Sequence, residues 1–484
     1  MAKTKHWICT AALLLGALCS AGAQPVPSSL PESVAQALQR SGVAEDDVAF
    51  LVVPVEGGAP LVSHNVTQAM TPASVMKLVT TAAALEELGP HFRWQTTVWQ
   101  EGKLNGDTLQ GNLYLKGSGD PSLVQEQLWL LLQNVQRQGV RHIAGDIVLD
   151  RSIYTDIPED PSAFDNEGMS PYNVQPDALL VNHNAVAVHL LPQGPQGPQG
   201  PQVRVVLEPG VLAPQVPTSW PMVSSRSAED CKQWMLALDQ GSRDAHAIAL
   251  PSAPYPSSCG QQIWRAAWPQ PEQYAGLVVR ALWEQMGGTV QGQVRIGKVS
   301  QALQKQPPLW VHQSPPLTEV VRDINKFSNN VMARQLLLTL GLERMGAANL
   351  GSARQALQQW WRQRLPHSPV PVVDNGSGLS RTALVSAQGL GDLLLYMWRA
   401  PTMSEWMSSL PVAGGDGTLR HAALEARGRA HLKTGTLRGA NSLAGYVLDK
   451  KGRRYALVAL ARGDNAGLAR SAMYRLVDWV AQRH

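Results

Sequence analysis

Ala49-Phe50-Leu51-Val52-Val53-Pro54-Val55-Glu56-Gly57-Gly58-Ala59-Pro60-Leu61-Val62-Ser63 reads as a β-hairpin. Ala49–Val53 is an apolar run of strand length, Glu56-Gly57-Gly58 is the turn, and Pro60–Ser63 is the return. A two-stranded hairpin is marginal in water. So are three strand-like runs near the other end of the chain, 428–434, 441–448 and 454–461, of which the last two are joined by the turn Asp449-Lys450-Lys451-Gly452. Together they make one five-stranded antiparallel sheet. Helices expected at about 73–88, 318–327, 331–340, 352–363, 386–399 and 467–482 flank it, which gives the α/β (α+β) class. Thr71-Pro72 starts the first helix and Gly89-Pro90 stops it, while Gly341 marks the end of the third.

The sheet is split in sequence, so what lies between is an insertion. Residues 24–91 plus 308–484 form the split domain, and 92–307 form an inserted β-rich region of one or two small domains. A chain of 484 residues is too long for one core. In the inserted region short strands such as Gly111–Gly117 and Gly145–Asp150 alternate with turns, with one helix expected at 122–138. Gln193 to Gln202 is a Gly-Pro-Gln repeat, too short for a collagen-like trimer and therefore a loop.

Composition narrows the class. The chain is 44% hydrophobic and 16% charged with a formal net charge of +4, so it is globular and carries no nucleic-acid footprint. Lys3 and Lys5, the apolar run Trp7–Leu18 and the small residues Ala21-Gly22-Ala23 read as a secretory signal peptide over 1–23, cleaved after Ala23. Leu18 stands where a lipoprotein signal at Cys19 would need a small residue. After cleavage Cys231 and Cys259 remain, most simply a disulfide worth about 3 kcal/mol, with two free buried thiols as the alternative. No His/Cys cluster surrounds the pair, so no metal site is expected there. Met473, Leu476, Val477, Trp479 and Val480 form a helical stripe that reads as core packing; a loose membrane or wall association is the other reading.

Three short motifs carry the chemistry. In Ser74-Val75-Met76-Lys77 a Ser and a Lys three apart share one helix face, at a helix start that favours developing negative charge. A serine needs a base, and a lysine serves if burial lowers its pKa. Alone the pattern is weak, expected about once by chance in such a chain. Ser328-Asn329-Asn330 lies in the break between two helices and reads either as a helix cap or as a hydroxyl and amide turned into a cleft. Lys433-Thr434-Gly435-Thr436 lies on a strand where Lys433 and Thr434 can hold a carboxylate, Gly435 allows close backbone approach, and the strand edge can pair with an extended peptide.

In this order the three resemble the S-x-x-K, S-x-N, K-T-G set of penicillin-recognising serine enzymes. The large insertion after the first motif is similar to that of the class C low-molecular-mass penicillin-binding proteins, the D-alanyl-D-alanine carboxypeptidase/endopeptidase family. Thr71–Leu78, Gly117-Ser118-Gly119-Asp120-Pro121-Ser122-Leu123, Asp374-Asn375-Gly376-Ser377-Gly378-Leu379-Ser380, Leu410–Leu419 and His431–Leu437 all look like segments of that family. The Asp374 loop has one extra residue, and the likeness is weaker across 92–307. The resemblance implies a penicillin-binding transpeptidase-like fold and a periplasmic enzyme acting on peptidoglycan stem peptides, with β-lactams as inhibitors and no metal or cofactor required. It assigns Ser74 as nucleophile, Lys77 as base and Ser328 as relay to the leaving amine. Asn330, Lys433, Thr434, Gly435 and Thr436 would hold substrate, with an oxyanion hole from the Ser74 and Thr436 N–H groups. Asp165 or Glu167 would bind an ammonium on a stem-peptide side chain in an endopeptidase reaction. A serine β-lactamase and a non-catalytic β-lactam sensor or wall-binding scaffold are the competing readings. Length, insertion and the lack of a deacylating Glu motif weigh against the first, and the complete motif set against the second.

Overall fold

The strands expected at the two ends of the chain meet in one sheet. In the computed structural model, which describes residues 30–158, 160–194, 200–210 and 216–484, its order is Ala430–Leu437, Ala440–Leu448, Arg454–Arg462, Val48–Pro54, Val62–His64, and every neighbouring pair is antiparallel. Phe50 lies opposite Ala459, and Gly435 opposite Ser442. Side chains alternate across a strand. Phe50, Val52, Leu457 and Ala459 face the helices Glu32–Ser41 and Arg470–Ala481. Ala49, Leu51, Val53, Val458 and Leu460 face Met76–Leu88, Leu317–Phe327, Asn330–Met345, Leu350–Arg364, Ala387–Arg399 and Met403–Ser409. With both faces covered, the inner strands become unbroken apolar runs, which is why they stood out in the sequence. The strand carrying Lys433 is left as a sheet edge.

Met473, Leu476, Val477 and Val480 are buried against the sheet, and the partly buried Trp479 has the Arg483 guanidinium 4.8 Å from its ring centroid. The stripe is core packing. Among the described residues no helix is long and apolar enough to cross a membrane. The signal segment lies outside the described residues.

Some boundaries differ from expectation. The helix Asn330–Met345 runs through Gly341 and ends at Gly346, which takes the left-handed conformation at φ 75°. Gly341 serves packing instead: a Cβ there would sit 2.8 Å from the Ala353 nitrogen, so glycine lets this helix close on Leu350–Arg364. Glu32–Ser41 was not anticipated, although Val34, Ala37 and Leu38 are spaced as a buried helical face.

The insertion contains two sheets. One runs Tyr255–Pro256, Ser219–Val223, Gln202–Glu208, Ala185–Gln193, Gln262–Ala267. Gln193 pairs with Gln202, so the Gly-Pro-Gln repeat joins two hairpin strands; its residues 195–199 lie outside the described residues. The other, seven-stranded, is built on Gln95–Asn105 and Thr108–Lys116, and its last strand, Trp310–Gln313, pairs with Gln95–Val98, just past residue 307. A shared apolar core joins both sheets to the helices Gln125–Arg137, Ala228–Ala245 and Pro271–Gln285, of which the last two escaped the sequence reading. Cys231 and Cys259 are disulfide-bonded, with Cα atoms 5.0 Å apart, and tie Ala228–Ala245 to the turn Ser257–Cys259.

Candidate active site

Ser74 sits in a tight turn, Ala73–Val75, just before the helix Met76–Leu88. The turn is held from three sides. Ala73 is fully buried with φ 46°, a conformation that a non-glycine residue keeps only where its surroundings enforce it. The Ser442 hydroxyl donates to the Pro72 carbonyl at 2.6 Å. On the third side Gly378, at φ 78°, lies so close that a Cβ there would stand 1.8 Å from the Ala73 oxygen. Gly378→Ala is therefore expected to lower stability by about 2 kcal/mol or more and to slow acylation of Ser74. Thermal unfolding and labelling with a fluorescent penicillin on one sample check it; an unaltered melting temperature with normal labelling would contradict the packing argument.

Lys77 is fully buried in the first turn of that helix. Its Nζ lies 2.9 Å from Ser74 Oγ and 2.6 Å from both Asn330 Oδ1 and the Ser377 carbonyl. Burial, then the charges of Lys433 and Arg334, hold the amine well below the ordinary lysine pKa. A neutral amine has two N–H bonds and one lone pair. The two carbonyl oxygens take the N–H bonds, which leaves the lone pair for the Ser74 proton.

Lys433 is also fully buried, and burial lowers its pKa to about 7. Its Nζ donates to Ser328 Oγ at 2.9 Å and to the Thr434 carbonyl at 2.7 Å. Ser328, in the left-handed conformation at φ 57°, ends the helix Leu317–Phe327, and Asn329 caps the next by accepting from the Met332 N–H. The Ser-Asn-Asn break is thus both a cap and a site element. Its serine meets Lys433, while Asn330 gives its oxygen to Lys77 and its Nδ2 to the Tyr172 carbonyl at 3.4 Å. Gly435 crosses the Ala73–Val75 turn so closely that a Cβ would lie 2.7 Å from the Ser74 nitrogen and 2.9 Å from the Pro72 oxygen. Thr434 Oγ1 lies 2.8 Å from Thr418 Oγ1, and the Thr436 side chain is exposed.

Neither acid of the inserted region stands free. Asp165 accepts from Arg381 Nη2 at 2.7 and 2.9 Å, and the same guanidinium lies over the Phe164 ring, 5.0 Å from its centroid. Glu167 pairs with Arg243 at 3.2 Å. The segment bearing them is fixed to the catalytic domain by Arg334, which donates to the Val174 carbonyl, and by Gln335, which exchanges hydrogen bonds with the Asp177 backbone. Ser377, Thr418, Arg381 and Tyr172 were not assigned roles from sequence. The first two lie in segments that had been matched to the family, Asp374–Ser380 and Leu410–Leu419, and Arg381 directly follows one of them. Among the described residues no group of His, Cys, Asp and Glu side chains could hold a metal ion.

Residues 30–483 match the D-Ala-D-Ala carboxypeptidase 3 (S13) family. The chain belongs to this family. It is accordingly a D-Ala-D-Ala carboxypeptidase, a serine hydrolase. It is 29% identical over 417 residues to the D-alanyl-D-alanine carboxypeptidase of Actinomadura sp. (strain R39), covering 83% of this chain and 75% of that one. Its fold is similar to penicillin binding protein 4 (dacB) from Haemophilus influenzae, with TM-score 0.72, 22% identity, 93% of this chain and 99% of the other; that protein has also been solved with a β-lactam bound. The predatory endopeptidase Bd3459 of Bdellovibrio bacteriovorus, acylated by penicillin G, aligns with TM-score 0.52 and 16% identity over 90% of this chain and 94% of that one.

Proposed function

We propose that this carboxypeptidase works on peptidoglycan stem peptides in the periplasm, through an acyl-enzyme on Ser74. The observation that carries the assignment is the Lys77 amine, with two carbonyl acceptors at 2.6 Å and Ser74 Oγ at 2.9 Å. Ser74 Oγ attacks the carbonyl of the penultimate D-Ala as its proton passes to Lys77 Nζ. Backbone N–H groups of Ser74 and Thr436 stabilise the oxyanion. The C–N bond breaks as Ser328 gives its hydroxyl proton to the leaving amine and takes one back from the Lys433 ammonium bonded to it, the proton held by Lys77 making up that loss before the next turnover. Asn330 steadies the peptide amide beside Lys77, and Gly435 keeps the substrate strand close to Ser74. Water then releases the peptide acid and regenerates Ser74. A β-lactam enters the same path and stops at the acyl-enzyme, as penicillin G does in Bd3459.

The endopeptidase reaction differs only in the leaving amine, which belongs to a neighbouring stem peptide. Of the two acids, the geometry favours Asp165 for a substrate ammonium. Both are paired with an arginine, but the Arg381 that holds Asp165 also donates through Nη1 to the Arg438 carbonyl just past the Lys433 motif, whereas the Arg243 that holds Glu167 lies within the insertion.

The base must be neutral, so the rate of β-lactam acylation is expected to fall as pH drops through the lowered pKa of Lys77. Stopped-flow acylation across pH checks this; a rate without an acid limb would remove Lys77 from the role. The test of the function is D-alanine release from a stem pentapeptide, alongside labelling by a fluorescent penicillin. Absence of both from the purified enzyme would overturn it, and rapid β-lactam turnover without peptide cleavage would mark a β-lactamase instead.

A further inference from the structure

We infer that the cavity on the far face of the Lys433 strand receives the substrate's terminal carboxylate, and that Arg470 and Asn441 recognise it there. The inference rests on the carboxypeptidase reading above and names residues that the three motifs do not contain.

Along the strand Lys433 and Gly435 share the Ser74 side, so Thr434 and Thr436 belong to the other face. On that face lies a cavity of about 240 Å³ lined by Thr418, Thr434, Thr436, Asn441, Arg470 and Tyr474, with Ser442, Leu443 and Met473 completing the wall. No acid is among these residues. Asn441 stands opposite Thr436 in register. It is 3% exposed, yet its Nδ2 is buried with no hydrogen-bond partner among the described residues. A buried donor left open costs free energy unless a ligand or water completes it. Arg470 opens the helix Arg470–Ala481, is exposed, and has no ion-pair or hydrogen-bond partner among the described residues.

The charge balance points the same way. Lys433 is the cation the motif supplies, but two of its Nζ donors are taken by Ser328 Oγ and the Thr434 carbonyl, which leaves at most one N–H for an anion. Burial also leaves it only partly charged near neutral pH. Arginine keeps its charge at every relevant pH and presents a planar fork that matches a carboxylate. The Thr434 and Thr436 hydroxyls supply the neutral donors between the Ser74 side and this cavity.

Arg470→Gln is expected to raise KM for D-alanine release from a stem pentapeptide by about tenfold, with kcat within about twofold, because a uniform binding contact is removed. Arg470→Lys should recover most of the loss. Asn441→Leu should raise KM by about fivefold. The KM of wild type should rise with salt and that of Arg470→Gln should not. An unchanged KM in Arg470→Gln, or a fall in kcat alone, would overturn the assignment. A wild-type enzyme that releases no D-alanine would overturn the carboxypeptidase reading instead.

Discussion

Ser74→Ala is expected to leave the fold intact and to abolish both β-lactam labelling and peptide cleavage, with kcat/KM reduced by at least about 10³-fold. The hydroxyl is the atom proposed to form the acyl bond, and among the described residues no other serine beside a lysine amine takes the same position: Ser328, the nearest analogue, is bonded to Lys433. The cost to stability is small. Ser74 is only partly buried, and the turn that carries it is held by the Ser442–Pro72 hydrogen bond and by the Gly378 and Gly435 contacts, none of which uses the Ser74 side chain. An intact melting curve with no labelling by mass spectrometry is the expected pair of results. A label retained at another residue would move the nucleophile.

Lys77→Met is expected to be nearly as severe, slowing acylation by about 10³-fold. Methionine matches the length and shape of the lysine stem and carries no base. Two opposing effects on stability follow. The Asn330 Oδ1 and Ser377 oxygens lose their donor, at about 1–3 kcal/mol each where no water replaces it. Against that, the substitution removes a fully buried amine held close to the charges of Lys433 and Arg334, whose burial is itself unfavourable. These effects largely offset, so the variant should fold and bind a stem peptide while failing to acylate. Single-turnover labelling against wild type measures it. Acylation within tenfold of wild type would require another base, and Lys433 through Ser328 would be the first to test.

How much of this was legible in advance follows from the range of each interaction. The Ser74–Lys77 pair could be read because helical geometry over three residues is local. The sheet could be read because both of its faces are covered, which forces apolar runs onto the inner strands. The helices Ala228–Ala245 and Pro271–Gln285 were missed because they pack on the insertion's shared core among short strands, where turn residues dominate the local pattern. Gly341 misled because a glycine at a helix crossing and a glycine at a helix end look alike until the neighbouring helix is placed.

The sequence by itself determined the three motifs, their order, the split sheet and the chemistry that two serines, two lysines and an asparagine can perform. Only the tertiary structure decided how they are partnered. It set Ser328 against Lys433, bound Asn330 to Lys77 across 253 positions, and paired Asp165 with Arg381 across 216. Those choices depend on which elements pack together. A lysine buried beside two carbonyl oxygens becomes a base, whereas one at the surface stays a solvated cation, and the residues on either side of Lys77 in the chain do not distinguish the two.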